Sequence, residues 1–505
     1  MCPHDASACG DYVRITRPSH ADGDPGGAMQ VHELPTTDMP ALAERLAHLP
    51  HLAFLDSAME HSALGRYSYL AADPYAVLDA RGGAATLGQR HVAGDPLAAL
   101  GEALDLARAA RDPDLPPFQG GAIGFIAYEY GRRLEKLPAA DVDDLGLPDA
   151  ALGLYDWVVA CDHTRKKAWL ISTGAPEPEG PVRETRARER AEEALGYLSR
   201  PAPARTTAAQ PALDFRSNFT RADYVEAIAR TVEYVLAGDI FQANIAQRFL
   251  AELPESFDPW AFYRRLRTRN AAPFAAYLAF GDVTVCSSSP ERFVCVEGDH
   301  VEARPIKGTS KRWSNPHADG ASSRALLDSE KDRAENVMIV DLLRNDLSRV
   351  CRPGSIEVPK LCGLETYASV HHLVSVVTGR LRHGLSVTDL LRASFPGGSI
   401  TGAPKLRAME IITELERHAR GIYCGSIGWI GFSGDADFNI AIRTATIARG
   451  KAVFQAGGGI TALSDPAAEY DETLTKARAV FEAFGGTLVE SDAVAVPEAM
   501  AGGLR

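Results

Sequence analysis

The chain has 505 residues, 53 Lys and Arg against 66 Asp and Glu, and a formal net charge of −13. Apolar residues make up 46% and charged residues 24%, which disfavours disordered, collagen-like and membrane-spanning classes and allows either one large core or several domains of about 150 residues. The acidic balance excludes a basic nucleic-acid footprint, no long apolar run marks a membrane span, and eight cysteines without a CxxC pair are expected in a reducing, cytoplasmic setting.

Residues 1–28 mix Gly, Asp, Pro and His without periodicity, and read as a disordered tail or as residues ahead of a true start at Met29. Residues 29–200 read as one N-terminal region. It opens with a helical stretch, ALAERLAHL, and strands at HLAFLDS, RYSYLAADP and AVLDARG, then a helix at PLAALGEALDLARAA. Further strands are predicted at GGAIGFIAYEY, LYDWVVACD and KAWLIST, and a charged helix at VRETRARERAEEALGYL. The Pro- and Ala-rich stretch that follows offers little to bury, so 201–214 is predicted as a linker, 215–488 as the second region and 489–505 as a C-terminal tail.

In the second region DVTVCSSS, ERFVCVEG and HVEARPIKG follow one another through tight connections, as do GIYCGSIGWIGF, DFNIAIRTATIA and KAVFQAGGG. Links this short permit hairpins but not crossovers. The predicted class is therefore α+β, with largely antiparallel sheets flanked by helices.

Several residues sit where ordinary packing does not explain them. In the predicted helix LLDSEKDRAENVMIVDLLRND, Glu335 shares a stripe with Ile339 and Leu342, and Asp332 lies three residues earlier. A carboxylate there needs a partner, which Arg333 or Arg344 would also supply. Asp465 and Pro466 start another helix, on which Glu469, Glu472 and Lys476 share a face. Two helices with i, i+3 carboxylate pairs suit a hard cation such as Mg²⁺. PGGSITGAPK resembles a phosphate loop, but Ala403 and Pro404 stand where Lys-Ser/Thr would be needed, which excludes nucleotide binding; the helix after it carries an apolar stripe of Ala408, Ile411, Ile412, Leu415 and Ala419. Gly457, Gly458 and Gly459 are consecutive, as in a backbone anion nest, or serve as turn glycines. His372 alternates with valines, Arg443 sits mid-strand in NIAIRTATI, Glu291 ends a strand, and Lys307 follows a proline, ordinarily a solvated position.

Taken in order, SSSPERF, RPIKGT, SEKDRAENVMIVDLLRND, HHLVSVV, FPGGSITGAPKLRAMEII, GIYCGSIGW, NIAIRTATI, QAGGGI and AEYDETLTKA resemble the chorismate-utilising enzymes across 215–488. PFQGGAIGFIAYEY and HLAFLDS resemble the N-terminal half of their ammonia-using members. The resemblance implies a large α/β sandwich with intertwined halves. It implies a Mg²⁺ site in which Glu335 and Glu472 bind the metal and Asp332 and Glu469 support it through water, although the family carries Glu where Asp332 stands. Gly308, Thr309, Tyr423, Arg443, Gly457, Gly458, Gly459 and Lys476 would hold chorismate, with His372 and Glu291 at its ring and Glu291 protonating the departing C4 hydroxyl.

Water-using relatives carry a lysine base where this chain has Gln242, so an ammonia user is implied. Anthranilate synthases read PIAGT, whereas PIKGT, with Lys307, resembles the aminodeoxychorismate synthases of the p-aminobenzoate and folate branch. There Lys307 would add to C2 of chorismate, which requires a neutral amine. No glutaminase-like Cys, His and Glu set is recognisable, so a separate glutamine amidotransferase subunit is the expected ammonia source. The N-terminal half also resembles a tryptophan pocket built from Ser57, Leu64, Gly65, Arg66 and Tyr67, with Pro273, Phe274 and Ala275 from the second half. The runner-up is anthranilate synthase component I, and a further reading is a non-catalytic chorismate or tryptophan sensor, which the presence of Glu291, Glu335, His372 and Glu472 disfavours.

Overall fold

The computed structural model describes residues 29–59, 64–202, 212–367 and 370–489. The predicted N-terminal tail, residues 203–211 of the predicted linker and residues 490–505 of the predicted C-terminal tail lie outside the described residues.

Two large sheets dominate. The first, of thirteen strands, runs Gln30–Leu34, Lys167–Ser172, Trp157–Asp162, Tyr67–Ala71, Leu52–Asp56, Phe274–Phe280, Val283–Ser289, Thr444–Ala448, Lys451–Ile460, Gln242–Glu252, Asp214–Ser217 and Thr487–Leu488, with Gly402–Ala403 added beside Gln242–Glu252. The second, of twelve, carries Ile306–Lys311, Val370–Arg380, His300–Arg304, Arg292–Glu297, Ala436–Asn439, Ser426–Gly431, Gly121–Ile126 and Ala150–Tyr155 in that order before its N-terminal edge. Pairing between the named strands is antiparallel except for Asp214–Ser217 with Thr487–Leu488, as short connections demand.

Both sheets are shared by the two halves of the chain. Leu52–Asp56 pairs with Phe274–Phe280, placing Asp56 opposite Ala275, and Gly121–Ile126 pairs with Ser426–Gly431. The inner faces meet over Phe118, Phe125, Leu278, Ile427 and Trp429. Helices cover the outer faces: Pro181–Ser199, Pro259–Arg269 and Pro466–Phe484 on the first sheet, and Pro96–Leu106 and Glu330–Ser348 on the second. The first of these layers is aromatic, with Phe262 stacked on Phe484 at 3.7 Å between ring centroids.

Local chemistry sets the helix ends near the site. Asp465 accepts from the Ala468 N–H at 2.8 Å and Pro466 occupies the first turn, as expected. The single helix predicted from LLDSEKDRAENVMIVDLLRND is two: Pro316–Leu327 ends before Ser329, whose hydroxyl caps Glu330–Ser348 by accepting from Asp332 N. The helix after PGGSITGAPK closes at Glu416 because Arg417 adopts φ 60°, so Ala419 lies beyond the predicted stripe.

Candidate active site

The carboxylate-bearing helices meet at the glycine strand. An atom in the position of a Cβ on Gly458 would lie 3.0 Å from Glu469 Oε2 and 3.5 Å from Glu472 Oε1. At Gly459 it would lie 3.3 Å from Glu335 Oε2 and against the Gln242 amide, and at Gly308 2.9 Å from Asp332 Cγ. The four predicted metal-site carboxylates therefore surround three of the predicted glycines, and side chains there would fill the cradle. Lys476 donates to Gly457 O at 2.8 Å and pairs with Glu472 at 2.7 Å, while Lys331 pairs with Glu469 at 3.0 Å. Burial would raise the Glu472 carboxyl, but Lys476, Lys331 and Lys307 outweigh it and hold it below the ordinary value. Burial wins at Glu335, which is raised despite Lys307 and Lys331 and makes no hydrogen bond or ion pair among the described residues.

Lys307 is buried, against its ordinary reading as solvated. Burial pushes its amine down, opposed by Glu335 and Glu291, and its Nζ donates to Ser399 O at 2.9 Å. The Asn244 side-chain amide donates to the same carbonyl at 2.8 Å. Burial raises Glu291, opposed by a hydrogen bond from Ser399, by Lys307 and by Arg443. Ser399 thus ties Glu291 to Lys307. It sits in FPGGSITGAPK, where one serine among glycines carries no signal and its carbonyl leaves no mark on sequence. Lys331, the partner of Glu469, carries no distinguishing signal either, being one charge among many on its helix.

His372 hydrogen-bonds Thr309 through Nδ1 at 2.9 Å, and burial followed by the Arg443 charge lowers it to about 4. Arg443 adopts φ 51°, is depressed by burial, and makes no side-chain ion pair among the described residues. A half-buried guanidinium with no protein carboxylate bonded to it is a ready anion partner. Tyr423 is buried and precedes Cys424, whose thiol is in electrostatic reach of Lys307 and Glu291.

Among the described residues no three His, Cys, Asp or Glu side chains stand close enough to form a ready-made metal cage. The donor set nevertheless fits Mg²⁺, which is held through one or two carboxylates with water and an anionic substrate completing its shell. Glu335 from one helix and Glu469 and Glu472 from the other border the glycine strand, and of the latter two Glu469 is already paired with Lys331.

A cavity of about 130 Å³ lies away from these residues, between the two sheets. Ser57, Leu64, Arg66, Tyr67, Pro273, Phe274 and Ala275 line it; Gly65 does not. Its far wall, Trp429, Asp437 and Arg292, comes from the second sheet, which sequence reasoning did not connect to it. Ser57 Oγ donates to Tyr67 O at 2.6 Å, and Arg66 is paired with Asp162 at 2.7 Å.

Among the described residues no helix is long and apolar enough to cross a membrane. The profile of the chorismate binding enzyme family matches residues 54–482. Aminodeoxychorismate synthase component 1 of Salmonella typhimurium is 44% identical over 432 residues, covering 84% of this chain and 91% of the relative. Anthranilate synthase component 1 of Streptomyces coelicolor is 41% identical, covering 83% and 81%. Among solved structures, anthranilate synthase component I from Streptococcus pneumoniae superposes with a TM-score of 0.74 at 32% identity, covering 84% of this chain and 94% of that one. With a family profile spanning both halves and relatives alike over most of its length, the chain belongs to the chorismate binding enzyme family.

Proposed function

We propose that this protein aminates chorismate at C4 to give 4-amino-4-deoxychorismate. The observation that carries the reading is Lys307, an amine depressed by burial and held between Glu291 and Glu335. A lysine adds to carbon only when neutral, and burial favours that form. Nζ adds at C2, the diene shifts, and the C4 hydroxyl leaves as water with a proton from Glu291, whose burial favours the protonated acid. Ammonia then adds at C4, the diene shifts back, and C2 releases the lysine; the enolpyruvyl group is untouched. Gly457–Gly459 lie in the strand Lys451–Ile460 rather than in a nest or a turn, with Gly458 bonded into the ladder opposite Ile245. Arg443, Lys476 and the Gly457 and Gly459 N–H groups therefore serve the two substrate carboxylates, and His372 with Thr309 borders the ring. Support comes from the relatives named aminodeoxychorismate synthase component 1, at 44% and 42% identity.

When bound at Glu335 and Glu472, with Asp332 and Glu469 behind them, Mg²⁺ would neutralise a substrate carboxylate. The component 1 names imply a second component; we assign it as a separate glutamine amidotransferase that supplies ammonia. The cavity between the sheets is assigned to tryptophan because Ser57 offers a polar group there beside the apolar Leu64, Pro273, Phe274 and Trp429. A cytoplasmic setting and the division at 201–214 complete the reading.

The test is covalent trapping. Wild type with chorismate, Mg²⁺ and no ammonia should show an adduct by intact mass, mapping to the RPIKGT peptide. Lys307→Arg should be inactive, since guanidinium does not deprotonate. An active Lys307→Arg together with no wild-type adduct overturns the nucleophile and reopens anthranilate synthesis.

A further inference from the structure

Outside the residues already assigned, a charged and aromatic chain leads to the back of His372. Glu365 lies directly opposite His372 in the pairing of Glu357–Thr366 with Val370–Arg380. The Tyr367 hydroxyl donates to Glu365 Oε2 at 2.8 Å, and its ring meets the His372 ring edge-on at 5.4 Å between centroids. Glu365 Oε1 takes two further donors, Arg304 at 2.6 Å and Lys360 at 2.8 Å. Arg304 also lies 3.8 Å from Glu302, which pairs with Arg292 at 2.9 Å. The anchor thus extends back across the sheet to the cavity wall.

Each member has a fixed role in this chain. Burial would raise Glu365, but Lys360, Arg304 and Tyr367 together lower it, so it remains an acceptor. Burial followed by the Glu365 bond raises the Tyr367 phenol, so it remains a donor. The bond therefore has one direction across working pH. His372 is neutral there, so its contribution depends on ring orientation rather than charge. Thr309 holds Nδ1 and the Gly308 backbone is a second hydrogen-bonding partner, so both tethers come from the strand Ile306–Lys311. The Tyr367 contact on the ring edge adds a support from the end of Glu357–Thr366, on the other side of Val370–Arg380.

We propose that Tyr367 and Glu365 are positioning residues that fix the His372 ring against chorismate, Arg304 and Lys360 being their footing. The inference rests on the placement of His372 at the substrate ring in the reading above.

Steady-state kinetics with chorismate and ammonium test it. Tyr367→Phe keeps the ring and loses the anchor; Tyr367→Leu loses both; Glu365→Gln weakens the footing. Expected is a fall in kcat, graded from Phe to Leu and reaching about 100-fold, as an ångström of misplacement costs, with KM for chorismate within about 2-fold. In a His372→Asn background the Tyr367 substitutions should cost nothing further, because they act through that ring. Losses that multiply in that background, or wild-type kcat in all three single variants beside an impaired His372→Asn, overturn the strut. A His372→Asn enzyme with wild-type kinetics instead overturns the placement of His372 itself.

Discussion

Arg420 and Glu416 form a buried pair whose removal has a calculable consequence. Their side chains are 1% and 4% exposed. Arg420 reaches Glu416 through Nε at 2.9 Å and a terminal nitrogen at 2.6 Å, and also donates to Ile400 O at 3.1 Å and Asn244 O at 2.6 Å. Glu416 Oε1 accepts the Ala246 N–H at 2.8 Å. The pair thus joins the strand Gln242–Glu252 to the segment whose Ser399 carbonyl holds Lys307. Arg420→Met leaves a buried carboxylate without its cation, which costs about 3 to 5 kcal/mol. Arg420→Met with Glu416→Leu removes both charges and leaves the Ala246 N–H unsatisfied, about 1 to 3 kcal/mol, while the Ile400 and Asn244 carbonyls lose their Arg420 donor equally in both variants. The double variant should therefore be more stable than Arg420→Met alone. Denaturant midpoints and slopes measure this, and kcat at fully folded concentrations should fall with the loosened Ser399 segment. Additive single costs, or an Arg420→Met within about 0.5 kcal/mol of wild type, the range of an ordinary surface change, would refute the argument.

Other outcomes follow from the site. Glu335→Gln and Glu472→Gln should each raise the Mg²⁺ concentration needed for half-maximal rate while circular dichroism stays unchanged; wild-type Mg²⁺ dependence in both places the ligands elsewhere. At constant free ammonia the rate should rise with pH as Lys307 loses its proton, along a limb below the ordinary lysine value because burial lowers it. With His372 at about 4, no inflection that disappears in His372→Asn should lie between pH 6 and 7. Calorimetry should find saturable tryptophan binding, about 5-fold weaker in Ser57→Ala if one hydrogen bond is lost; no heat in wild type would remove tryptophan from the cavity.

Much of this architecture is legible residue by residue. Asp465 and Pro466 announce their helix, and the spacing of Glu469, Glu472 and Lys476 puts all three on the face that meets Gly458. Short links between strands predict antiparallel sheets, but nothing local brings Leu52–Asp56 to Phe274–Phe280 across the chain. For the same reason the cavity's second wall was not foreseen. Arg417 ends its helix in a left-handed conformation without the glycine that usually signals it, so the sequence pattern runs on to Ala419 while the helix stops at Glu416. Lys307 is the clearest case of context overriding locality. After its proline Lys307 reads as solvated, yet its amine is buried, where it donates to the Ser399 carbonyl far along the chain and faces Glu335 and Glu291.

The central claim is the site and outcome of amination, and product identity tests it most directly. The purified chain, given chorismate, Mg²⁺ and concentrated ammonium at high pH, should form 4-amino-4-deoxychorismate without a glutaminase, identified by mass with the enolpyruvyl group retained. Fluorescent anthranilate as the main product of the wild type would contradict the assignment of Lys307 and of amination at C4.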